Sequence, residues 1–122
     1  MIDIRKKEMQ LSAKKLGVKT IYFQNISTRT LKDKIFRTYD KIRKIIISQK
    51  IDALFCPAYE GGHQDHDVSN FICSKLKNYC KVYEFSEYNY FNKKINCNQF
   101  IINDDNLTTL NLTEEELSLI HI

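Results

Sequence analysis

Two imidazoles, two carboxylates and two glycines are gathered in the ten residues Pro57-Ala-Tyr-Glu-Gly-Gly-His-Gln-Asp-His66, directly after an apolar run. No other stretch of the chain concentrates groups of this kind. His63 and His66 stand three apart, so a helix opening near His66 brings both rings to one side of a loop-to-helix junction. Neutral imidazole is a good ligand for zinc or another borderline divalent ion, and a catalytic zinc site combines about three protein ligands with an open place for water. His-x-x-His supplies two candidates at most. Gly61 and Gly62 allow a tight turn or close backbone approach, and Asp65 is placed to fix a histidine's tautomer. The plainer reading is that the histidines are surface residues and that Asp65 or Asp67 caps a helix. Spacing alone reaches a candidate metal site and no further. His121 has no assigned role.

The elements that must position this loop follow from periodicity. Residues 3–16 read as a helix with Asp3 as N-cap, Met9, Ala13 and Leu16 on one stripe, and Gly17 at the C′ position. Val18 to Phe23 reads as a short buried strand and Gln24 to Thr30 as loop. Leu31, Ile35, Tyr39, Ile42 and Ile46 follow helical spacing to about Gln49. Ala53-Leu-Phe-Cys56 is continuously apolar, the pattern of a central parallel strand buried on both faces, and Pro57 ends it. The histidine loop therefore belongs at a strand's carboxyl end, where open α/β sheets bind ligands. Val68, Phe71, Ile72, Leu76 and Tyr79 predict a helix from near His66, followed by a strand over Lys81 to Phe85. A further short strand is predicted over Gln99 to Ile102, loop over 104–111, and a capping box at Thr113-Glu-Glu-Glu116 opening a last helix. Alternating helices and strands predict an α/β fold with three parallel strands.

Composition narrows the class. A chain of 122 residues with 43% hydrophobic residues forms one domain with a single core. Cys56, Cys73, Cys80 and Cys97 show no C-x-x-C pair and read as reduced thiols. There is no long apolar run and no export pattern, so a cytoplasmic location without a membrane span is expected. Residues 1–50 carry 14 Lys/Arg against 4 Asp/Glu, and residues 51–122 carry 5 against 11. The basic half lacks the Arg/aromatic interleaving of a base-stacking surface, which makes nucleic acid an unfavoured partner and solvated helix faces the preferred reading.

The histidine stretch, with the Asp67 that follows it, resembles the G-H-P-D-H signature of the PIG-L/LmbE-like deacetylases, with Gln64 in place of proline. Arg5-x-x-Glu8, Ala13 and Leu16-Gly17-Val18 resemble that family's R-x-x-E…A…L-G-V helix. Ile51-Asp52-Ala53-Leu54 resembles its approach to the central strand, and Leu112 to Leu117 the start of its C-terminal helix. The resemblance implies a Rossmann-like three-layer fold with a mainly parallel sheet. It also implies a zinc-dependent hydrolase acting on the N-acetyl group of an N-acetylglucosamine-type substrate. By position, His66 would be a zinc ligand, His63 an acid or electrostatic stabiliser and Asp65 its support. Arg5, Glu60 and Gly62 would meet the sugar.

The family's A-H-P-D-D segment, which supplies two zinc ligands and the catalytic base, has no counterpart in the sequence, and Thr28 stands near the position of an acidic sugar contact. The expectation is a single partial domain over 1–122, without the first strand, with a non-native tail over 117–122, weak or absent zinc binding and no activity as it stands. The alternative from another class is a non-catalytic module that binds a sugar-phosphate or nucleic acid. Oligomeric state is not legible.

Overall fold

The computed structural model describes residues 2–102 and 105–120. Its helices are α1 (Ile2–Lys15), α2 (Ile35–Gln49), α3 (Gln64–Ser74) and α4 (Glu114–Ile120). Its strands are β1 (Ala53–Pro57), β2 (Lys81–Phe85), β3 (Tyr88–Asn89) and β4 (Asn96–Cys97). β1 and β2 pair in parallel with Phe55 opposite Tyr83, and β3 and β4 form a separate antiparallel pair. Helix and strand alternate through β1–α3–β2, a right-sized α/β unit.

The core lies on one side of the parallel pair. Ile46 of α2 and Ile72 of α3 are buried with Leu76, and Leu31, Ile35, Tyr39, Ile42, Leu54 and Val68 pack around them. The α2 members are those of the predicted stripe, so its helical period explains its burial. Chain exit from α2 is fixed by Lys50 in the left-handed region (φ 52°), with the Ile51 amide donating to the Ile46 carbonyl at 3.0 Å. Asn70 of α3 donates to the Pro57 carbonyl at 3.0 Å and to Glu84 Oε1 at 2.7 Å, tying the carboxyl ends of both strands to the helix. All four cysteines are free thiols. The Cys56 thiol is pushed up by its hydrogen bond to Cys73 and by burial, so it stays neutral and acts as core filling.

Several expectations need correction. Val18 to Phe23 joins no ladder among the described residues, so the parallel sheet has two strands there rather than three. A strand exists only through a partner for its backbone groups, and this segment instead lies along α1, where Lys6 Nζ sits 5.7 Å above the Phe23 ring. β1 is covered on one face only: Phe55, 66% exposed, stacks on Tyr83 on the open face. α3 gives way after Ser74 to turns that carry Leu76 and Tyr79, and Gln99 to Ile102 is irregular, the late pairing falling at β3–β4. Asp3 lies inside the first turn of α1 instead of capping it. Gly17 does close α1 with φ 71°.

The capping box is present as expected. The Thr113 amide donates to Glu116 Oε2 at 2.8 Å, and the Glu116 amide donates to Thr113 Oγ1 at 3.3 Å. The Thr113 hydrogen bonds hold the Glu116 carboxyl below its usual range. A depressed folded-state pKa stabilises above the unfolded value and is lost as pH falls through the folded one. The helical Cα shifts of residues 114–118 should therefore weaken on acidification below the normal glutamate range, while those of α2 persist. For the core, Leu76→Ala should cost roughly 2–5 kcal/mol in a urea titration, because Leu76 is wholly buried.

Candidate functional site

β1 delivers the chain to the histidine loop at its carboxyl end, and the Ala58 amide extends the ladder by donating to the Phe85 carbonyl at 2.9 Å. Glycine is required at two successive positions for different reasons. Gly61 takes φ 68°, a left-handed turn conformation. At Gly62 a β-carbon would overlap the Tyr88 carbonyl oxygen and crowd its ring. The loop is thus pressed against the segment that follows β2.

Carboxylates hold this arrangement from both sides. Asp67 Oδ1 accepts from the amides of Glu60 (3.0 Å) and Gly61 (3.1 Å), closing the loop back onto α3. Glu60 Oε2 accepts from the Glu87 amide at 2.9 Å, joining the loop to the β2–β3 connection. Asp65 Oδ2 accepts from the Arg29 amide at 2.7 Å, so the segment before α2 is anchored at the start of α3. Neither aspartate is the N-cap: His63 is, its Nδ1 accepting from the Asp65 amide at 3.1 Å while its carbonyl accepts from the His66 amide at 3.0 Å. Histidine at a cap serves the helix and at the same time locks its own ring.

The two imidazoles lie side by side with ring centroids 5.0 Å apart. Tyr88 meets His66 edge-on at 5.9 Å, and Tyr90 meets Tyr88 at 6.1 Å, so an aromatic wall runs away from the histidines. The Asp65 carboxylate stands 4.0 Å from His63 Nδ1, beyond hydrogen-bond reach, and the bond to that ring comes from the Asp65 backbone amide. His63 Nδ1 spends its lone pair on that amide, so the neutral ring carries its proton on Nε2 and is a donor there.

Of the sequence-predicted residues, the structure brings together His63, Asp65, His66, Glu60 and Gly62. Glu60 and Gly62 are engaged in holding the loop. Arg5 is exposed on α1, and among the described residues no hydrogen bond or ion pair joins it to the loop. Sequence reading missed Glu87, whose Oε2 lies 3.3 Å from His66 Nδ1, and Tyr88. Glu87 and His66 stand twenty-one positions apart, and no local pattern links them. Two open grooves, one along α1 and residues 17–23 and one beside the start of β2, do not include the histidine loop, which lies at the surface.

A catalytic zinc ion takes about three protein ligands. Among the described residues no three His, Cys, Asp or Glu side chains converge to hold a metal ion.

A family model described as PIG-L: GlcNAc-PI de-N-acetylase matches residues 1–77, taking in α1, α2, β1, the histidine loop and α3. The chain belongs to the PIG-L family. No curated protein and no solved structure matches it. Membership in the PIG-L family places the chain among relatives of deacetylases, on a Rossmann-like α/β frame, and suggests a sugar-type substrate. No helix among the described residues is long and apolar enough to cross a membrane. Within this loop of the PIG-L family chain, Gly62→Ala should displace the Tyr88 carbonyl and cost roughly 1–3 kcal/mol, with amide shifts concentrated at residues 60–67 and 86–90. Unperturbed shifts at Tyr88 would contradict the close approach.

Proposed function

We propose that the chain carries the histidine-loop part of an N-deacetylase site for an N-acetylated amino sugar of the N-acetylglucosamine type. The observation that supports this reading best is the fixed pair of imidazoles at the carboxyl end of a parallel strand, inside the segment that matches the family. In this reading His63 donates from Nε2 to the amide carbonyl oxygen, and the bond strengthens as water adds to the carbonyl carbon and charge gathers on that oxygen. Completion breaks the C–N bond and yields acetate and the free amine. Asp65 holds the His63 ring through its amide, and Gly62 keeps the loop low enough for a sugar to approach. Arg5 enters through the resemblance as a contact for sugar hydroxyls.

Zinc is the cofactor this reading calls for, with His66 as this chain's donor. When bound, zinc would acidify water and polarise the carbonyl. One imidazole is too few to hold it tightly, so the polypeptide alone should not hydrolyse. The basic half of the chain is read as solvated helix faces, with a cytoplasmic setting.

The test is a titration with Zn2+ and an N-acetylglucosaminide, followed by histidine ring resonances and by acetate release. Shifts confined to His63, His66 and residues 58–67, with the zinc-dependent part lost in His66→Ala, are the expected result, together with no acetate above background. Zinc-dependent acetate release lost in His66→Ala would overturn the expected inactivity. Perturbation only along α1 and α2 would sink the deacetylase reading and favour a charge-driven binding module.

A further inference from the structure

Glu87 is held in place by its backbone on both sides. Its amide donates to Glu60 Oε2 at 2.9 Å, and its carbonyl accepts from the Asn98 amide at 2.9 Å. The first bond ties it to the histidine loop and the second to the residue after β4. Its neighbour Tyr88 passes over Gly62 and meets His66 edge-on. The carboxylate that lies 3.3 Å from His66 Nδ1 is therefore set by fixed main chain, unlike a surface side chain that happens to reach across. His66 and Glu87 are both part-buried, with side chains 28% and 35% exposed, which limits the screening of their attraction by water. No described residue hydrogen-bonds His66 Nε2.

A neutral imidazole carries one proton on one of two nitrogens, and the partner of one nitrogen decides what the other can do. A carboxylate beside Nδ1 draws the proton there and leaves a lone pair on Nε2. His63 has the reverse bias, because its Nδ1 is an acceptor from the Asp65 amide. We propose that Glu87 is the positioning residue of this site: it selects the Nδ1–H tautomer of His66 and fixes its ring. The loop then presents an electron-pair donor at His66 Nε2 beside a proton donor at His63 Nε2. This deepens, and rests on, the reading of His66 as a ligand in a deacetylase site. It explains why two histidines three residues apart serve different purposes: the amide of Asp65 polarises one and the carboxylate of Glu87 the other. It also gives Glu60 a purpose, since Glu60 anchors the backbone that carries Glu87.

The experiment is long-range nitrogen–proton correlation on the histidine rings of the full chain at a pH of about 8, above the ordinary imidazole range, without metal or substrate. Wild type should show His66 protonated on Nδ1 and His63 protonated on Nε2. Glu87→Ala should shift the His66 proton largely to Nε2. Glu87→Gln, which keeps an oxygen beside Nδ1, should retain the wild-type pattern. A wild-type His66 protonated on Nε2 overturns the proposal, as does an Nδ1–H tautomer that survives Glu87→Ala. Should Glu87→Ala perturb the fold, the wild-type and Glu87→Gln spectra decide alone. Because neither zinc nor sugar is present, failure here leaves the deacetylase reading standing, and failure of the zinc and sugar titration leaves the Glu87–His66 pair standing.

Discussion

Gly62 runs so close beneath the Tyr88 carbonyl that no β-carbon fits between them, and the geometry of the site depends on this approach. It brings the residues after β2 over the loop after β1, although the two are separated in sequence by all of α3 and β2. The Glu60–Glu87 bond and the double acceptance at Asp67 Oδ1 hold the contact. His66 consequently has Glu87 on one side and Tyr88 on another, and His63 is fixed by capping α3. A site built from one loop would be free to fluctuate. One pinned between two strand ends is pre-organised.

The parallel pair β1–β2 makes that pinning possible. Register places Pro57 opposite Phe85, so both strands end at the same level and their following segments leave side by side. Asn70 reads both ends at once through the Pro57 carbonyl and Glu84. The hydrophobic cluster of α2, α3 and Leu76 covers one face of the pair and sets the height of α3, from whose first turn His66 projects. The other face, with Phe55 stacked on Tyr83, adds nothing to the site. Parallel sheets are ordinarily covered on both faces, and this one is not.

Much of the scaffold was legible in the sequence because its signals are local and periodic. The Leu31 to Ile46 stripe, the apolar run ending at Pro57, the strand Lys81 to Phe85 and the Thr113–Glu116 box each encode their own structure within a few residues. Val18 to Phe23 has strand composition, but a strand's identity depends on a neighbour that no local pattern reveals. β3 and β4 are two residues each, too short to carry an alternation. At the site, the residue types and the junction of loop and helix were readable, together with the family resemblance. Which group does what was not. Asp67, one of two candidate caps in the plainer reading, closes the loop, and His63, a candidate catalytic group, caps the helix. Glu87 was invisible, because its relation to His66 is created by the close approach at Gly62.

His63, His66 and Tyr88 form one fixed cluster across the two strand ends, with the His63–His66 and His66–Tyr88 ring centroids 5.0 Å and 5.9 Å apart. The direct measurement is the set of ring-proton nuclear Overhauser contacts in the isotope-labelled chain in solution. Cross-peaks between the His63 and His66 rings and between His66 and Tyr88, with the second set lost in Gly62→Ala, are predicted. A folded chain whose His66 ring shows no contact with Tyr88 would contradict the account.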